Sequence, residues 1–135
     1  MDEAKRDLVR QWFEKSSQDL FAAKKLGEGT SALFGVAAYH CQQAAEKALK
    51  AFLVCQDEDH PKIHDLGVLL NLAAEHGQRF QALQDAADRL TPLATLYRYP
   101  GANEDIGEAQ FDQAVRDAEA LCGVALDSVP EGCRP

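Results

Sequence analysis

Apolar and polar positions recur with a helical period along most of this chain, and the alternation of β-branched residues that marks strands is nearly absent. Leu8, Trp12, Phe13, Leu20 and Ala23 fall at three-to-four spacing and predict a first helix over roughly Glu3 to Leu26. Gly27-Glu28-Gly29 ends it, and Thr30 or Ser31 is placed to cap a second helix that runs to about Gln56. Leu33, Ala37, Cys41, Ala44, Ala48, Ala51, Phe52 and Cys55 form the wide apolar face of that helix. Asp57-Glu58-Asp59-His60-Pro61 then favours a loop. A third helix begins near Asp65, whose carboxylate suits a cap, and carries Leu66, Leu69, Leu70 and Ala73 towards Gly77. A fourth runs from about Arg79 through Leu83, Ala86, Ala87 and Leu90, and Pro92 ends or kinks it. Pro100-Gly101-Ala102-Asn103 predicts a turn. A last helix spans roughly Glu108 to Asp127, with Phe111, Val115, Ala118, Leu121, Cys122 and Ala125 facing inward. The expected fold is all-α, an up-and-down bundle of four to five helices over residues 1–129, with 130–135 as a flexible C-terminal tail. The small side chains of the second helix let another helix approach closely, either within the chain or across a dimer.

Composition narrows the class. At 135 residues, 46% hydrophobic and 27% charged, the chain has the balance of one globular domain rather than of a disordered segment. A formal net charge of −8 argues against a protein that coats nucleic acid nonspecifically, while leaving room for a local basic strip that meets a small phosphate-bearing ligand. The apolar runs are short and interrupted by charge, so no membrane span is expected. The N-terminus, MDEAKRDLVRQWF, has no apolar signal-peptide core, and a cytoplasmic location is expected. Cys41 and Cys55 lie about 21 Å apart along one helix, too far to bridge, and are expected to be small buried groups. Cys133 is expected to be exposed in the tail, and no disulfide framework is indicated.

Beside the apolar face of the second helix, His40, Gln43, Lys47 and Lys50 fall within an arc of about 80°. The lysines offer ammonium donors to phosphate, and Gln43 offers an amide to a base or sugar edge. The same strip also suits a solvated helix face, because Glu46 and Lys50 make an i,i+4 pair that stabilises a helix by itself. His64, just before Asp65-Leu66, is placed to hydrogen-bond another helix or to meet a ligand. In Tyr97-Arg98-Tyr99-Pro100, Arg98 can clamp a phosphate with Tyr99 stacking on a base, or pair with a carboxylate of a neighbouring helix. His60 and His64 have a metal-like spacing, but Pro61 places them in a loop, so neither a metal nor a cofactor is expected. The chain has no Gly-rich phosphate loop, Ser-His-Asp set or paired catalytic acids, and no catalytic residue is assigned.

The stretch YHCQQAAEKALKAFL from Tyr39 to Leu53 has Trp12-Phe13, Asp19-Leu20 and Ala22-Ala23 upstream. Downstream come His64-Asp65-Leu66, then Tyr97-Arg98-Tyr99-Pro100-Gly101 and a terminal amphipathic helix. As a set, these elements resemble the bacterial and archaeal HEPN family from about Arg10 to Leu126. The resemblance implies a helical bundle that forms a homodimer, partners a minimal nucleotidyltransferase in a toxin–antitoxin type pair, and binds a nucleotide such as ATP or GTP. Many relatives in that family are metal-independent ribonucleases built on an arginine followed shortly by a histidine. This sequence departs from that pattern, since none of His40, His60, His64 and His76 has an arginine at that distance upstream. The reading is therefore a non-catalytic interaction module. One alternative is an RNase toxin in which His40 or His64 meets Arg98 across the fold or across a dimer and acts on RNA. The other is a stand-alone nucleotide-binding dimer.

Overall fold

The computed structural model describes residues 1–58, 60, 62–96, 100 and 106–135, and the description below concerns these. Five α-helices make up an all-α bundle: α1 Glu3–Leu26, α2 Phe34–Cys55, α3 Leu66–Ala74, α4 Gln84–Leu90 and α5 Glu108–Asp127. Short 3-10 turns at Gln78–Leu83, Thr91–Ala94 and Glu131–Cys133 connect or finish them.

α1 starts where the side chain of Asp2 accepts a hydrogen bond from the Lys5 amide at 2.8 Å, and it ends on Lys24 and Lys25, cations at the negative pole of the helix. Its buried residues, Val9, Phe13, Ser16 and Ala23, lie along one side. α2 is the central element, and fourteen of its 22 residues are buried. α1 packs antiparallel to it: Asp19 reaches His40 and Lys47, Ser16 reaches Ala44, and Trp12 lies under Lys50. The alanines Ala37, Ala38, Ala44, Ala45, Ala48 and Ala51 are all fully buried within the single chain, so α1, α3 and α5 already use the close approach that these small residues permit.

α2 begins at Phe34 rather than at Thr30 or Ser31, and its N-cap, Leu33, makes no side-chain capping bond. Packing sets this start. The Leu33 amide donates to the carbonyl of Leu26 at 2.8 Å, and Phe34 stacks on Phe111 with ring centroids 5.5 Å apart. Gly27 makes room for that aromatic pair, because a Cβ there would lie 2.3 Å from the Phe111 ring. Asp65 caps α3 as expected, accepting from the amides of Gly67 (2.8 Å) and Val68 (3.4 Å). α3 stops at Ala74, short of Gly77, and the expected fourth helix opens as a 3-10 turn that lets Phe80 bury against Phe52 at 4.6 Å. Pro92 ends α4 as expected and sits in the Thr91–Ala94 turn. α5 has the bounds read from the pattern.

The C-terminal residues differ from the expectation of a frayed tail. They close a turn at Glu131–Cys133, and Arg10 Nη1 donates to the Gly132 carbonyl. Cys133, expected to be exposed, is buried with Val129 in the core because this turn folds back against α1. Among the described residues, no helix is long and apolar enough to cross a membrane.

Candidate functional site

The polar strip of α2 is built into two carboxylate-centred networks. Asp19, from α1, takes the first pair. His40 Nδ1 lies 2.9 Å from its Oδ1, and Lys47 Nζ donates to its Oδ2. A carboxylate only accepts, so His40 carries its proton on Nδ1 in this contact. Glu46, only 4% exposed, takes the second. Its Oε2 accepts from Lys50 Nζ at 3.2 Å and faces His64 Nδ1 at 3.1 Å, while its Oε1 accepts from Gln42 Nε2 at 3.2 Å. Gln43 joins this network by donating to Gln42 Oε1 at 2.7 Å, and Gln42 also reaches the His64 carbonyl at 3.4 Å.

The i,i+4 pair of Glu46 and Lys50 is present, but it is buried rather than solvated: Lys50 is 7% exposed, and its ammonium sits 5.8 Å from the centre of the Trp12 ring. His60 approaches the edge of the same indole with centroids 6.1 Å apart. His60 and His64 thus have different neighbours, Trp12 and Glu46. Among the described residues, no group of three or more His, Cys, Asp or Glu is arranged to hold a metal ion. Arg98 and Tyr99 lie outside the described residues, as do Tyr97 and most of the Pro100–Asn103 turn.

The structure therefore brings His40, Gln43, Lys47, Lys50 and His64 together along one seam between α1, α2 and the loop before α3. It also adds partners that the strip alone does not reveal. Asp19 and Gln42 were visible only as letters within the family-like motif, and nothing in local spacing ties Asp19 to His40 and Lys47, 21 and 28 positions away. Exposed apolar groups flank the neutralised centre: Leu8 (45% exposed) beside Trp12 at one end, Leu33 (54%) and Val36 (47%) at the other. Leu8, Gln11, Trp12 and Lys15 line a shallow cleft of about 240 Å³.

A second polar cluster ties α4 to α5. Arg89 donates from Nε and Nη2 to the two oxygens of Asp117, both at 2.8 Å, and Gln113 Nε2 donates to the same carboxylate at 2.9 Å. Hydrogen bonding to Asp117 raises the Arg89 guanidinium above its ordinary value. No sequence spacing pointed to this clamp. The four cysteines are free thiols, and burial pushes Cys41 up to about 12 and Cys122 and Cys55 to about 11, which keeps them protonated and unreactive at neutral pH.

The bundle and this seam define a small all-α domain whose central helix is largely enclosed and whose polar residues are paired between helices. The HEPN domain model matches residues 9–128, and the chain belongs to the HEPN domain family. Among solved structures, it is similar to TT1696 from Thermus thermophilus, with 24% identity and a TM-score of 0.79 over 90% of this chain and 98% of that one. It is also similar to ST0689, an archaeal HEPN homologue, with 22% identity and a TM-score of 0.67 over 87% of this chain and 93% of that one. No curated protein matches the chain.

Proposed function

We infer that this chain is a non-catalytic interaction module: a HEPN homodimer that docks a small nucleotidyltransferase, in a pair of the toxin–antitoxin type. One observation carries this reading. His40, Lys47 and Lys50 of the α2 strip, and His64 from the loop before α3, are already held on Asp19 and Glu46, so the strip does not offer pre-organised cations to a phosphate. A polar centre with its hydrogen bonds satisfied, flanked by Leu8, Trp12, Leu33 and Val36, suits a protein surface, because docking there leaves few polar groups to desolvate. The absence of an arginine a few residues before any histidine points the same way.

The test is co-purification from the native cell together with light scattering of the purified chain. The reading expects a dimer that retains a small nucleotidyltransferase in near-equal amount. A Leu8→Glu or Val36→Glu variant that stays folded should retain at least about tenfold less, the loss that goes with roughly 1.4 kcal/mol of docking energy. A monomer that recovers no nucleotidyltransferase refutes it.

A second reading, the nucleotide-binding dimer, gains support from the cleft beside Trp12, where the indole offers a stacking face and the exposed Lys15 a cation. It requires saturable ATP or GTP binding that Lys15→Ala weakens more than Lys47→Ala, since Lys47 is occupied by Asp19.

A further inference from the structure

α5 turns Gln110, Gln113, Ala114 and Asp117 to one side, at the i, i+3, i+4 and i+7 positions of a single stripe. Arg89 from α4, Leu93 from the turn Thr91–Ala94, and Ile106 just before α5 complete the lining of a cavity of about 180 Å³ against that stripe. The hollow exists because the stripe carries Ala114, whose methyl leaves the space that a larger core side chain would fill. An apolar cavity of about 150 Å³ takes up benzene, so this one has room for a molecule of similar size. Its wall divides in two. Leu93, Ile106 and Ala114 are apolar, and Ile106 and Ala114 are buried. On the polar part, the acceptors are engaged. Both oxygens of Asp117 are taken by Arg89 and Gln113, Gln113 Oε1 accepts from Arg116 Nη2 at 3.1 Å, and Gln110 Oε1 accepts from the Gly107 amide at 3.1 Å. Among the described residues, no hydrogen bond is made by Arg89 Nη1 or Gln110 Nε2, so the groups left over are N–H donors. Charge balances nearby: Arg89 and Arg116 stand against Asp117 and Asp85, with Asp85 one turn before Arg89 on α4.

We propose that this cavity is a binding site for a small neutral molecule with a carbonyl head and a short aliphatic tail, such as an aliphatic amide. The head accepts from Arg89 Nη1 and Gln110 Nε2, and the tail lies against Leu93, Ile106 and Ala114. Each part of the wall selects one part of that ligand. Donors without partners favour an oxygen that accepts, and a head that only donates would leave them unsatisfied. The balanced charges give an anionic head no net attraction to offset the water it loses on entry. The apolar wall favours a tail of a few carbons through the area it removes from water. Asp117 is a positioning residue here: its two parallel bonds to the Arg89 guanidinium fix where Nη1 points. None of these residues belongs to the seam of α2, so the site is independent of the docking reading.

The test titrates the isotope-labelled full chain with isovaleramide at neutral pH and follows its backbone amide signals by NMR, with acetamide and isovalerate as comparison ligands. The expected result is a set of saturable shifts centred on Leu93, Ile106, Gln110 and Ala114, with a dissociation constant on the order of 1 mM, as suits so small a molecule. Acetamide, which lacks the tail, and isovalerate, which carries a charged head, should each bind at least about tenfold more weakly. Gln110→Glu keeps an oxygen to cap the Gly107 amide and removes the Nε2 donor. It should therefore weaken isovaleramide at least about fivefold without lowering the melting temperature. Ala114→Leu should fill the hollow and abolish binding; if that variant does not fold, Gln110→Glu and the acetamide comparison decide. Shifts that do not saturate or that centre elsewhere, isovalerate binding as tightly as isovaleramide, or binding that Gln110→Glu leaves unchanged each overturns the proposal.

Discussion

Replacing Glu46 with alanine should be among the most damaging single changes to this fold, and the size of the loss tests whether the α2 strip is structural. Glu46 Oε2 holds the Lys50 ammonium at 3.2 Å with side chains only 5% and 8% exposed, so water does little to screen the pair. Among the described residues, truncating the carboxylate leaves the buried ammonium with the Trp12 ring as its remaining partner, at 5.8 Å. Breaking one partner of a buried pair costs about 3–5 kcal/mol. Gln42 Nε2 loses an acceptor as well, worth about 1 kcal/mol. His64 adds little, since its side chain is 69% exposed and water replaces the contact. The expected loss is about 4 kcal/mol, a large part of the roughly 5–15 kcal/mol that holds a domain folded. Urea denaturation followed by circular dichroism measures it. The double variant Glu46→Ala/Lys50→Met removes the stranded charge and keeps an apolar stem of similar length, so it should recover to within about 2 kcal/mol of the unsubstituted chain. If Glu46→Ala costs under about 1 kcal/mol, or if Lys50→Met brings no rescue, Lys50 is not held as a buried partner. Its ammonium would then be open to an anionic ligand.

Two further outcomes follow from the packing and from the thiols. Gly27→Ala should lower stability by about 1–3 kcal/mol, because the new methyl would meet the Phe111 ring at 2.3 Å; adding Phe111→Leu should restore part of the loss, and thermal melts that leave Gly27→Ala unchanged would exclude the close approach. Cys41 ionises at about 12 in the folded chain against 9.0 when unfolded, so between those values the unfolded state binds fewer protons. Its contribution is therefore constant below 9.0 and is lost as pH rises towards 12. Denaturation curves of the unsubstituted chain and Cys41→Ala should converge with rising pH across that window, and a constant difference would count against the burial of this thiol.

Much of the fold was legible in the sequence because a helix reports itself locally. The three-to-four spacing placed α1 and α5 at their observed bounds, and Asp65 marked the start of α3 because capping depends only on a side chain and the amides just after it. The family was legible for a related reason: the letters of the α2 core and its flanking motifs travel as a linear pattern. Tertiary structure decided the rest. α2 starts at Phe34 because Phe111, far along the chain, receives it, not because a hydroxyl caps it. Cys133 is buried because its turn folds back against α1, and no local pattern encodes that. The polar strip read as a basic surface because periodicity tells which residues share a face and nothing about what stands opposite. Once α1 lies antiparallel along α2, Asp19 lands between His40 and Lys47, and Trp12 covers Lys50 beside Glu46. Charge at a site is a sum over neighbours in space, and only folding brings those neighbours together.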